Sequence, residues 1–126
     1  MKGQSTPAVA NRASVLGQAV SEAARRLGIG PTDLGLIIGV SQPTASRLRK
    51  GDYTLRESAK EWELSAFVVR LYRSLYSLVG GDDKLARGWL HSPNKAFPGR
   101  TPIDLIKRVD GLVRVCEYLD AYRARV

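Results

Sequence analysis

A chain of 126 residues with 44% hydrophobic and 25% charged side chains has the composition of a globular protein of one or two small domains. One cysteine and one histidine exclude an internal disulfide and a Cys/His zinc site, and no apolar run approaches the roughly 20 residues that span a bilayer, so the expectation is a cytoplasmic protein with no membrane partner. The net charge of +8 calls for an anionic partner, but nine basic against five acidic residues in 1–62 and eleven against seven in 63–126 leave +4 in each half, and charge alone does not locate the face.

Residues 1–11 are small and polar and read as a loosely held tail. Leu16, Val20, Ala23, Ala24 and Leu27 then share one helical face, and Gly28 stops that helix. Pro31 suits the first position of a second helix with Leu34, Ile37 and Ile38 inward; Gly39 ends it. Ser41 caps a third helix, Gln42 to Lys50, which packs down through Ala45 and Leu48 and ends at Gly51. Residues 52–62 read as a connection with a helical turn. A long amphipathic helix carries Leu64, Phe67, Val68, Leu71, Leu75 and Leu78 up to Gly80-Gly81. Asp82 caps the next helix, whose core side is Leu85, Ala86, Trp89 and Leu90, and which ends at Ser92-Pro93. Thr101-Pro102-Ile103-Asp104 has the form of a capping box opening a short helix with Leu105, Ile106 and Val109 inward. A last helix carries Leu112, Val113, Cys116, Leu119 and Tyr122. Nothing reads as a strand or a repeat, so the fold class is all-α.

The run from Pro31 to Gly51 meets the demands of two helices crossing at a tight turn. Gly35 is small where the helices approach, Gly39 permits a left-handed turn residue, and Val40 plugs the space between them. Gln42, Pro43, Thr44, Ser46 and Arg47 are left outside, with Ser41 as cap. Arg47 suits a guanine edge, Gln42 an adenine and Thr44 a thymine methyl, each good pair being worth roughly 1–3 kcal/mol of discrimination. Arg49 and Lys50 suit phosphate; Tyr53, Arg56 and Lys60 are weaker phosphate candidates. Ala19 to Tyr53 resembles the Xre (phage repressor-like) helix-turn-helix family, which implies double-stranded operator DNA as a partner.

In the second half, Gly88-Trp89-Leu90-His91-Ser92-Pro93-Asn94, Gly99-Arg100-Thr101-Pro102 and Leu105-Ile106, with Gly111 before a final amphipathic helix, form a spaced set. The set resembles the toxin-binding domain of the Xre/MbcA/ParS antitoxins over residues 65–126. The resemblance implies a type II antitoxin that blocks the NAD⁺ pocket of a RES-domain toxin and represses its own operon. Toxin contacts are expected at Trp89, Asn94, Phe97, Arg100, Tyr118, Tyr122, Arg123 and Arg125, with Tyr122, Arg123 and Arg125 covering the toxin pocket. The expected division is a tail (1–11), a helix-turn-helix domain (12–62) and a toxin-binding and dimerisation domain (63–126), the apolar stripe Phe67–Leu78 serving core first and a homodimer second. Without a nucleophile–base pair, phosphate loop or metal cluster the chain reads as a non-enzyme with no cofactor and no metal. Two other readings stay open: a stand-alone Xre-type regulator whose second half only dimerises, and an adaptor that binds protein alone.

Overall fold

Helix stops and caps set the order of the fold. The computed structural model describes residues 7–125, and among them the chain is all helical: α1 (Pro7–Arg26), α2 (Pro31–Ile38), α3 (Gln42–Arg49), α4 (Lys60–Leu78), α5 (Asp83–His91), α6 (Pro102–Leu105) and α7 (Val109–Ala124). Ser41, Asp82 and Thr101 each accept backbone N–H groups of the first turn they precede. Gly28, Gly39, Gly51, Gly80 and Gly81 all take positive φ, the left-handed conformation in which a glycine ends a helix without a Cβ clash.

The central element is α4. Its 19 residues pack against α1 and α2 on one side and against α7 on the other. Leu64, Val68, Leu71 and Leu75 are buried along it, and one continuous apolar core runs from Val20 of α1 to Leu119 of α7. Each such side chain contributes on the order of 1.5–3 kcal/mol when taken out of water. The expected division at residues 62 and 63 therefore falls inside α4, which serves both halves.

Polar contacts add to that junction. Arg26 at the end of α1 pairs with Asp83 at 2.9 Å, and the Tyr72 hydroxyl donates to the same carboxylate at 2.9 Å. Arg87 donates to the Arg26 carbonyl at 3.2 Å, and His91 Nε2 lies 2.9 Å from the Leu27 carbonyl. A carbonyl only accepts, so Nε2 carries the proton, and His91 closes the end of α1.

Three expectations change. The helix begins at Pro7, so residues 7–11 are not a tail; residues 1–6 of that tail lie outside the described residues. Leu85 and Val109 were expected inside but are 57% and 60% exposed, because α5 and α7 turn Ala86, Leu90, Leu112 and Val115 inward instead. Of the capping box, Thr101 receives the Asp104 N–H at 3.3 Å, while the Asp104 carboxylate takes the Lys107 ammonium at 3.4 Å.

Candidate functional site

The turn between α2 and α3 is built around Gly35. Its carbonyl accepts from both Gly39 N–H and Val40 N–H at 2.9 Å, and a Cβ on it would lie 2.7 Å from the Val40 carbonyl oxygen. Gly39 has φ 80° and ψ 35°, which turns the chain directly into the Ser41 cap. Ala45 and Leu48 are buried, so α3 lies flat on the core. Its outer side then presents Gln42, Pro43, Arg47 and Lys50 to solvent, with Thr44 and Ser46 half-buried.

Three of these side chains are linked. Ser41 Oγ accepts the Thr44 N–H at 3.2 Å and lies 2.9 Å from Thr44 Oγ1, which accepts from the Arg47 guanidinium at 3.1 Å. Whichever hydroxyl donates to the other, one hydroxyl proton and the remaining Arg47 donors face outward. The edge is thus rich in donors, which suits the O6 and N7 acceptors of guanine. The Thr44 hydroxyl thus holds Arg47 in place. Arg49 is also committed: it donates to the Ile29 carbonyl at 3.1 Å and ties α3 to the connection before α2. The Tyr53 hydroxyl and Arg56 are drawn to buried Glu61, which takes the hydroxyl at 2.7 Å and the Arg56 N–H at 2.8 Å. Burial, together with that hydrogen bond, pushes the Tyr53 phenol up from its ordinary value. Lys60 sits 3.5 Å from Glu63. Lys50 is left as the freest cation at the end of α3.

The second group lies on α5, α7 and the loop between α5 and α6. Trp89 stacks on Tyr118 with ring centroids 6.3 Å apart, Phe97 meets Tyr118 edge-on at 5.1 Å, and Tyr122 continues the row 5.1 Å from Tyr118. Arg114 lies over the Phe97 ring at 5.1 Å and Arg125 over Tyr122 at 5.7 Å. Phe97 is only 2% exposed, so it supports the surface from beneath instead of contacting a partner. Asn94 is turned to local use, its Oδ1 accepting the Ala96 N–H at 2.9 Å. Burial raises the Tyr118 phenol, and the neighbouring Tyr122 phenol raises it further. Arg100 and Arg123 are exposed. Asp120 beside them is spoken for: burial alone would raise its carboxyl, but the Ser74 hydroxyl and Arg70 hold it below the usual range.

Sequence reasoning missed Arg114 and Leu85 as surface residues. The signal for Arg114 was its place four residues before Tyr118 and eight before Tyr122 on one helix face. Among the described residues no group of three or more His, Cys, Asp or Glu is placed to hold a metal, and no described helix is long and apolar enough to cross a membrane.

A helix-turn-helix joined through a shared helix to a small helical module with an aromatic–arginine face defines a class of DNA-binding proteins with a second, partner-facing half. Residues 7–70 match the model of the antitoxin Xre-like helix-turn-helix domain, and residues 74–125 that of the antitoxin Xre/MbcA/ParS C-terminal toxin-binding domain. The chain belongs to the Xre/MbcA/ParS antitoxin family. It is similar to the antitoxin Xre of Yersinia enterocolitica (serotype O:8 / biotype 1B), 30% identical over 77 residues that cover 61% of this chain and 52% of that protein. The matched stretch thus spans about half the length of that curated relative. A chain in the crystal structure of the M. tuberculosis MbcT–MbcA toxin–antitoxin complex superposes with a TM-score of 0.66 at 25% identity, covering 89% of this chain and 96% of that one.

Proposed function

We propose that this protein is the antitoxin of a type II pair: it holds a RES-domain, NAD⁺-degrading toxin inactive with its C-terminal half and represses its own operon with α3. The observation that carries the reading is the row Trp89–Tyr118–Tyr122 with Arg125 over Tyr122 and Arg114 over the adjoining Phe97 ring. Tyrosine, tryptophan and arginine are the residue types that dominate interface hot spots, and here they gather on elements that take no part in the helix-turn-helix. Tyr122, Arg123 and Arg125 lie at the exposed end of α7, and in this reading they cover the toxin's pocket. Trp89 adjoins them through Tyr118, Arg100 stands exposed on the loop before α6, and Asn94 and Phe97 shape that loop from within.

The DNA reading rests on the capped, acid-free helix α3. Gln42, Thr44 and Arg47 face the base edges, and Ser41, Pro43, Ser46, Arg49 and Lys50 frame them. A homodimer would carry two copies of α3 to two half-sites about one helical turn apart. Function in the cytoplasm follows from a DNA partner. The protein works by binding, as a non-enzyme.

Two experiments test the halves separately. Co-expression with the adjoining reading frame is expected to yield a stable complex with a RES-domain protein; a chain that purifies alone, beside no such gene, supports a stand-alone regulator instead. Gel shifts with the upstream DNA are expected to weaken with salt and with Arg47→Ala. No shift at low salt would leave a protein-binding adaptor.

A further inference from the structure

One glycine has no reason in this chain's own packing. Elsewhere each described glycine sits at a positive-φ turn, precedes α2, or abuts its own chain: a Cβ at Gly17, Gly35 or Gly111 would lie 3.5, 2.7 or 1.9 Å from the nearest atom. Gly88 stands inside α5, is exposed, and a Cβ on it would meet nothing within 4 Å. Glycine in a helix interior is less favourable than alanine, and nothing within the chain offsets that cost.

Its neighbours make a face. Leu85, three residues earlier on α5, is 57% exposed, and Trp89, the next residue, stacks on Tyr118. On α7 the positions Arg114, Tyr118, Tyr122 and Arg125 form one stripe. Lys84 borders the first stripe, and the exposed carboxylates Asp110 and Glu117 border the second, four residues before and three after Arg114.

We infer that the α5–α7 face seats the toxin, whose backbone comes directly against Gly88 while an apolar hollow takes Leu85 and carboxylates meet Arg114 and Arg125. The inference rests on the antitoxin reading above. A second copy of this chain is the competing occupant, and the dimer mass separates it from the toxin. The partner is therefore a polypeptide surface that approaches closely enough to exclude any side chain at position 88.

The test uses the full chain, its Gly88→Leu and Leu85→Ser variants, and the RES-domain protein of the adjoining reading frame with its active site silenced. Melting temperature, dimer mass and operator binding are measured beside toxin affinity. Gly88→Leu is expected to melt at or above the parent, since it gains helix propensity at an open position, and to keep its dimer and operator binding. Its toxin affinity is expected to fall by about tenfold or more, the effect of overpacking a close contact. Leu85→Ser keeps the fold and weakens the same step. Unchanged toxin affinity in both variants, with the parent binding normally, overturns the inference. So does loss of the dimer with toxin affinity intact. A parent that does not bind the RES-domain protein at all overturns the antitoxin reading itself.

Discussion

Replacing glycine by alanine has opposite consequences at two helical positions of this protein. At Gly35 a Cβ would stand 2.7 Å from the Val40 carbonyl oxygen and 3.3 Å from the Ser41 carbonyl group. All of these are backbone atoms of the turn, and the Gly35 carbonyl holds the same turn through two hydrogen bonds of 2.9 Å. No flexible side chain can give way, so α3 must move off α2. Overpacking of this kind costs about 1–3 kcal/mol, and alanine returns about 1 kcal/mol of helix propensity. The net loss is up to about 2 kcal/mol, or up to roughly 10 °C in melting temperature at this chain length. Operator affinity should fall with it, because Ser41, Thr44 and Arg47 move as one. At Gly88 the same substitution meets open space, and the gain of up to about 1 kcal/mol should raise the melting temperature by a few degrees. Thermal melts of the two variants and the parent, with a gel shift for each, check the pair. A Gly35→Ala chain as stable as the parent and equally able to bind DNA would refute the close crossing of α2 and α3.

Thr44→Val keeps the shape of the side chain but removes the acceptor for Arg47 and the partner of Ser41. Operator affinity should fall about three- to tenfold, the worth of one lost hydrogen bond, with the loss concentrated at the base Arg47 reads and the melting temperature nearly unchanged; a panel of single-base operator variants measures this. Cys116 is buried, with its thiol pushed up from 9.0 to about 12, mainly by burial. A raised folded value favours the protonated form, so the contribution is complete below the unfolded value near 9 and is lost as pH climbs toward 12. Between those limits the parent should lose stability with pH faster than Cys116→Ala, and an alkylating reagent should label the parent only on unfolding; parallel slopes and native labelling would contradict the burial.

The sequence carried most of the chain's punctuation because that punctuation is local. Ser41, Asp82 and Thr101 cap through bonds within their own first turns, and Gly28, Gly39 and Gly51 stop helices through their own φ angles. Gly35 was legible for the same reason, since the turn that needs it is five residues away. What escaped was tertiary. Periodicity marks Leu85 and Val109 as apolar but does not say which neighbour, core or partner, covers them. Arg49 reads as a phosphate ligand until α3 docks near Ile29, and Phe97 reads as a contact until Arg114 and Tyr118 close over it. The start of α1 at Pro7 was missed because Ala8, Val9 and Ala10 show no amphipathic repeat of their own.

An antitoxin of the proposed kind closes its toxin's active site with the end of α7. Purified RES-domain protein consuming NAD⁺ should be titrated with the full chain and with a chain cut after Ala121, which keeps Asp120 for Ser74 and Arg70 but lacks Tyr122, Arg123 and Arg125. The full chain should stop NAD⁺ loss at a fixed stoichiometry, and the shortened chain, still folded and still shifting operator DNA, should leave NAD⁺ loss running. Full neutralisation by the shortened chain would contradict that closure.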